Sequence, residues 1–198
     1  MERPWYRFYP EGVPRSIAYP EIPLHALLER SASTYPEKVA VVSGESGYRL
    51  TYRELDNLAS RFANALVDMG AAKGDRVALF LPNIPQFLIA YYGTLKAGCV
   101  VTTISPLARE STLLFQLNDS ETETLVVYEP LLPVFLKVSQ STTVKRVFVT
   151  SGDASKPPQL PQGNFYDFDA ILSKYSPEPP KVEIHPKSDL ACLQYTGG

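Results

Sequence analysis

The sequence predicts an α/β fold, a mainly parallel sheet with helices on both faces, and three observations carry that prediction. Short apolar runs that suit buried strands, such as Arg76 to Leu81, Thr124 to Tyr128 and Arg146 to Thr150, are separated by helix-length segments. Crossovers of that length join parallel strands, because parallel neighbours cannot be linked by a tight hairpin. The 198 residues, 44% hydrophobic and 20% charged, suffice for the core of one domain or of two small ones.

Taken in order, residues 1–21 hold four prolines and the aromatics Trp5, Tyr6, Phe8, Tyr9 and Tyr19, which predicts an irregular arm lying on a larger body. A first helix is expected over 22–35. Val39 to Val42 and Tyr48 to Leu50 flank the turn Ser43-Gly44-Glu45-Ser46-Gly47 as a β-hairpin. Thr51-Tyr52-Arg53-Glu54 is a capping box, and Leu55, Leu58, Ala59, Phe62 and Leu66 then recur at helical spacing until Gly70 stops the helix.

Lys73-Gly74-Asp75 turns the chain into the strand Arg76 to Leu81. Asn83 is the expected cap of the next helix, with Pro85 tolerated in its first turn and Gly98 as its end. Ile84, Phe87, Leu88, Tyr91 and Leu95 form the expected buried stripe. A strand Cys99 to Ile104, a helix over 109–118, a strand Thr124 to Tyr128, a helix over 130–140 and a strand Arg146 to Thr150 complete the order β-α-β-α-β-α-β. Residues 151–164 are too polar and proline-rich to pack. A short helix over 167–174 and a second proline-rich connection, Ser176 to Pro186, precede a last strand, Leu190 to Tyr195.

Composition excludes several classes. A formal net charge of -2 without a Lys/Arg run leaves no electrostatic footprint for nucleic acid. The longest apolar stretches fall far short of the ~20 residues a membrane-spanning helix needs. The first ten residues lack an apolar core and a cleavage site, so the expected compartment is the cytoplasm. Cys99 and Cys192 stand alone within predicted strands, as reduced apolar fillers do, and His25 and His185 are equally isolated, so no metal site is expected.

The end of the chain carries the chemistry. The last strand runs straight into Thr196-Gly197-Gly198. Ligands of open parallel sheets sit at the carboxyl ends of strands, where glycines let backbone N–H groups approach phosphate oxygens and a hydroxyl adds a donor. Thr-Gly-Gly alone is more often an ordinary turn, and neither a Walker lysine nor a GxGxxG motif is present.

Six blocks decide between these readings. Thr51-Tyr52-Arg53-Glu54-Leu55, Lys73-Gly74-Asp75-Arg76-Val77-Ala78-Leu79, Leu81-Pro82-Asn83, Leu95-Lys96-Ala97-Gly98, Leu117-Asn118-Asp119-Ser120 and Asp189-Leu190-Ala191 with Leu193-Gln194-Tyr195-Thr196-Gly197-Gly198 occur in the order and spacing of the adenylate-forming acyl-CoA synthetases, which the chain resembles. Tyr9-Pro10-Glu11-Gly12-Val13-Pro14 and the form of the final block look most like long-chain fatty-acid:CoA ligases. Ser105-Pro106-Leu107, followed by Ala108-Arg109-Glu110, stands where those ligases usually have Asn-Pro-Leu and often a Tyr soon after.

The resemblance implies a fold like the N-terminal part of a synthetase's large domain, with residues 1–21 as an arm and 22–198 as part of the AMP-binding domain. It implies two half-reactions, acyl-AMP formation from a fatty acid and ATP, then transfer to CoA, with Mg2+ beside the triphosphate. Thr196, Gly197 and Gly198 match the opening of the family's ATP phosphate loop. No catalytic or metal-binding residue is expected within these 198 residues, and alone they are expected to be inactive, the remaining ligands lying downstream in family members. Tyr195 is expected to pack the loop, and Lys73-Gly74-Asp75, Asn83 and Leu117-Asn118-Asp119-Ser120 to serve turns and caps. A ligase for an aryl, short-chain or amino acid, one with a carrier-protein acceptor, and a non-catalytic scaffold are the alternatives. Peripheral membrane contact suits an enzyme of insoluble acids, although no basic amphipathic helix marks it, and nothing in the residues speaks to oligomeric state.

Overall fold

A computed structural model describes residues 3–44 and 47–196. Its centre is a six-stranded sheet, all of whose neighbours run parallel. The chain enters through α1 (Ala26–Thr34) and an antiparallel hairpin of β1 (Val39–Val42) and β2 (Arg49–Thr51). Then come α2 (Tyr52–Asp68), β3 (Arg76–Phe80), α3 (Pro85–Lys96), β4 (Val100–Thr103), α4 (Glu110–Asp119) and β5 (Thr124–Tyr128). The series ends with α5 (Leu132–Val138), β6 (Arg146–Thr150), β7 (Phe165–Asp167), α6 (Phe168–Leu172) and β8 (Cys192–Gln194). The sheet order is β7-β6-β5-β3-β4-β8.

Strand alternation divides the core into two layers. Val77 and Leu79 of β3 join α1, α2, α3 and α6 in one cluster, while Ala78 and Phe80 join α4 and α5 on the opposite face. The expected helices on both faces are therefore present. Thr51 caps α2 as a full capping box: its Oγ1 accepts from the Glu54 N–H at 3.2 Å and its own N–H donates to the Glu54 carboxylate at 2.8 Å. Gly70, at φ 83°, ends that helix.

Four expectations need correction. Asn83 does not cap α3; Ile84 does, with no side-chain bond, and Pro85 at the first helical position has no N–H to be satisfied. Of the expected α3 stripe only Leu95 is fully buried: Ile84, Phe87, Leu88 and Tyr91 are half-buried against the core, and Gln86, Ile89, Ala90 and Gly93 are the buried positions beside it. Cys99 precedes its strand instead of lying within it. Finally, β7 joins the sheet beside β6 where only a helix was expected, because a three-residue strand offers too little periodicity to register.

The arm residues 3–21 form a 3-10 turn (Pro4–Phe8) and then irregular chain in which none is buried. Its end is tied to the body by an ion pair from Glu21 to Lys187 at 2.6 Å. A buried lysine fastens α1 to α2 and α3: the Lys96 Nζ lies 2.6 Å from Glu29 and 3.1 Å from Asp56. Among the described residues no helix is long and apolar enough to cross a membrane.

Candidate phosphate-loop site

Register places the end of β8 at the carboxyl rim of the sheet. Gln194 lies level with Thr103 of β4, which is level with Leu79 of β3, so all three strands deliver their carboxyl ends to the same rim. Thr196, the first of the expected phosphate-binding residues, leaves that rim with its side chain exposed. Gly197 and Gly198 lie outside the described residues.

The two residues before Thr196 are held by side chains. The Thr103 hydroxyl bonds Gln194 Oε1 at 2.6 Å, and the Gln194 amide donates to the Tyr195 carbonyl at 3.1 Å. Tyr195 turns toward α4. Its hydroxyl donates to the Asp119 carboxylate at 2.6 Å, with the Gln116 carbonyl 3.4 Å away, and its ring meets Phe115 edge-on at 6.2 Å between centroids. Burial, then the hydrogen bond and the charge of Asp119, push the phenol up to about 12. Tyr195 therefore remains a protonated donor throughout the neutral range.

Asp119 is the residue missed by sequence reasoning. It was accounted for within Leu117-Asn118-Asp119-Ser120 as helix termination, and it does end α4, with Ser120 as the cap and Glu121 at φ 50°. The pairing with Tyr195 spans 76 residues of sequence, and no local pattern announces it. Lys73-Gly74-Asp75 is a turn as expected, with Gly74 at φ 88° and the Asp75 carboxylate accepting from the Ala72 N–H at 2.9 Å.

A second polar group sits on the same rim at the end of β6. The Asp169 carboxylate accepts from the Thr150 hydroxyl at 2.7 Å and from the Gln86 amide at 3.2 Å. Burial raises its pKa in spite of those two bonds. Among the described residues, no three His, Cys, Asp or Glu side chains converge as metal ligands.

Residues 28–198 match the AMP-binding enzyme family. The chain belongs to that family. Over its full length it is 32% identical to a long-chain-fatty-acid–CoA ligase of Bacillus subtilis and 32% identical to one of Escherichia coli. It spans 38% of the length of each. Its fold superposes on the crystal structure of a long-chain-fatty-acid–CoA ligase from Archaeoglobus fulgidus with a TM-score of 0.81 at 28% identity, over 96% of this chain and 37% of that one. The expected kinship of this AMP-binding chain with fatty-acid:CoA ligases therefore holds.

Proposed function

We propose that the complete protein is an ATP-dependent long-chain fatty-acid:CoA ligase, in which residues 22–198 form the N-terminal portion of the AMP-binding domain and residues 1–21 an arm upon it. The observation that carries this is identity to long-chain-fatty-acid–CoA ligases along the whole chain, with the family match reaching to residue 198. The fatty-acid carboxylate attacks the α-phosphate of ATP to give acyl-AMP and pyrophosphate, and the CoA thiol then displaces AMP. Both reactants of the first step are anions, so the protein must supply donors that neutralise the triphosphate and hold the attack in line.

Thr196, Gly197 and Gly198 are the residues of this chain that would hold the ATP phosphates. The support is positional: Thr196 follows a parallel strand onto the carboxyl rim and is exposed there, at the end of a sheet where phosphate ligands bind. Mg2+ would accompany the triphosphate and spread its charge. Fatty acid, ATP and CoA are then the small-molecule partners, in a cytoplasmic protein that meets membranes at most peripherally.

The test is pyrophosphate release and acyl-CoA formation by the complete protein with acids of graded length. Activity peaking on long-chain acids is the expected result. A peak on short or aryl acids would move the assignment to another acid class, and pyrophosphate release without CoA transfer would point to a carrier-protein acceptor. The 198-residue chain alone is expected to release no pyrophosphate, since it spans only 38% of the length of the ligases it matches.

A further inference from the structure

We propose that Tyr195 and Asp119 form an anchor that fixes the front of the phosphate loop, making both of them positioning residues for ATP. The proposal rests on the reading of Thr196, Gly197 and Gly198 as phosphate ligands. Backbone donors bind an anion well only when their geometry is fixed beforehand, and a glycine has no side chain with which to fix its own. Something adjacent has to supply it.

The strand does so poorly. β8 is three residues long and pairs with β4 alone among the described strands, so the ladder stops at Gln194, two residues before Thr196. Beyond that point the Gln194 amide holds the Tyr195 carbonyl at 3.1 Å, and the bond that ties Tyr195 to another element is its hydroxyl on Asp119 at 2.6 Å. A bond that short to a carboxylate is charge-assisted, stronger than one to a neutral acceptor.

Asp119 is in turn fixed to the body. It closes α4, and the next residues are clamped: the Ser120 hydroxyl bonds the Gln116 carbonyl at 2.6 Å, Arg76 donates to the Ser120 carbonyl at 2.7 Å, and the same guanidinium pairs with Glu121 at 2.7 Å. Arg76 begins β3, the strand that pairs with both β4 and β5. The chain of contacts therefore runs from the middle of the sheet through the end of α4 to the residue that precedes Thr196. Packing alone would need only the Tyr195 ring against Phe115; the aimed hydroxyl is the additional feature.

The experiment compares Tyr195→Phe, Asp119→Ala, Asp119→Asn, the Tyr195→Phe/Asp119→Ala double variant and Thr196→Ala in the complete protein. KM is measured for Mg-ATP and for fatty acid, and amide hydrogen exchange is followed over residues 192–196. Tyr195→Phe and Asp119→Ala are each expected to raise KM for ATP about three- to tenfold, less than the full worth of a hydrogen bond to a charged group because the site is half-exposed, with KM for the acid unmoved. The double variant should be no worse than either single one, and Asp119→Asn, which keeps an acceptor, should lose less than Asp119→Ala. Exchange at Tyr195 and Thr196 should quicken in the same rank order. If Thr196→Ala raises KM for ATP while the Tyr195 and Asp119 variants leave it and the exchange unchanged, or if their effects multiply, the anchor is overturned and the loop reading stands. If Thr196→Ala has no effect on ATP, the loop reading itself falls, and the anchor's role in ATP binding falls with it.

Discussion

Asp169 shows how one side chain at the sheet's carboxyl rim makes stability depend on pH. Its carboxyl is held by Thr150 and Gln86, yet burial outweighs both bonds and raises its pKa above the ordinary Asp value. The folded protein then keeps this proton where the unfolded chain has already released it. The stabilising contribution is complete below the unfolded pKa of about 3.9 and is lost as pH rises through the higher folded value. Asp169→Asn removes the titration while preserving an acceptor for Thr150. Urea melts of both proteins between mildly acidic and neutral pH should show the wild type losing ground to the variant as pH rises. A gap that stays constant with pH would mean that Asp169 is no more protonated in the folded protein than in the unfolded chain.

Where helices meet, the decisive residue is Gly93. A Cβ added there would lie 2.7 Å from the Ala59 carbonyl oxygen and 2.9 Å from Phe62, so α3 and α2 approach as closely as they do only because that atom is missing. Phe62 uses the approach to pack against Phe148 of β6 and Phe168 of α6, which makes the α2–α3 seam part of the main core. Gly93→Ala should destabilise the protein by about 1–2 kcal/mol, overpacking exceeding the helix propensity that alanine brings. Thermal melts check this, and a raised melting temperature would mean that the two helices separate at no cost. The same seam explains what sequence could and could not give. The parallel strands and the capping box of α2 were legible because each is written in neighbouring residues: Val77 to Phe80 in their unbroken apolar run, Thr51 and Glu54 three apart. The true inner face of α3 was not, since its key positions are Gly93 and Gln86, neither of which counts as hydrophobic. The Tyr195–Asp119 pair was hidden for a related reason. Thr196-Gly197-Gly198 is recognisable as a motif, but the group that steadies it comes from a helix end whose own sequence already has a sufficient local explanation.

The chain taken whole carries more apolar surface than its two core layers use. Phe8, Ile17 and Tyr19 on the arm, Leu107 after β4 and Leu190 before β8 are between 62% and 88% exposed. An apolar cavity of about 410 Å³ opens between the arm's end and the start of β8, walled by Tyr19, Ile22, Leu24, Leu95 and Leu190. Isolated exposed hydrophobics are ordinary; patches that share a cavity are not, and they mark surfaces that other groups cover. Among the described residues β8 is an edge strand, and its outer side adds backbone donors and acceptors next to that surface. We therefore expect the 198-residue chain on its own to bind a hydrophobic dye in its folded state and to show an apparent mass that rises with concentration in sedimentation. Replacing Leu190 by Lys, a charge set at the mouth of the cavity beside the strand edge, should reduce both signals with little loss of stability, because the side chain is outside the core. A dye-silent monomer at every concentration would show instead that the two helical layers complete the fold unaided, and that the cavity and the arm need no partner to stay in water.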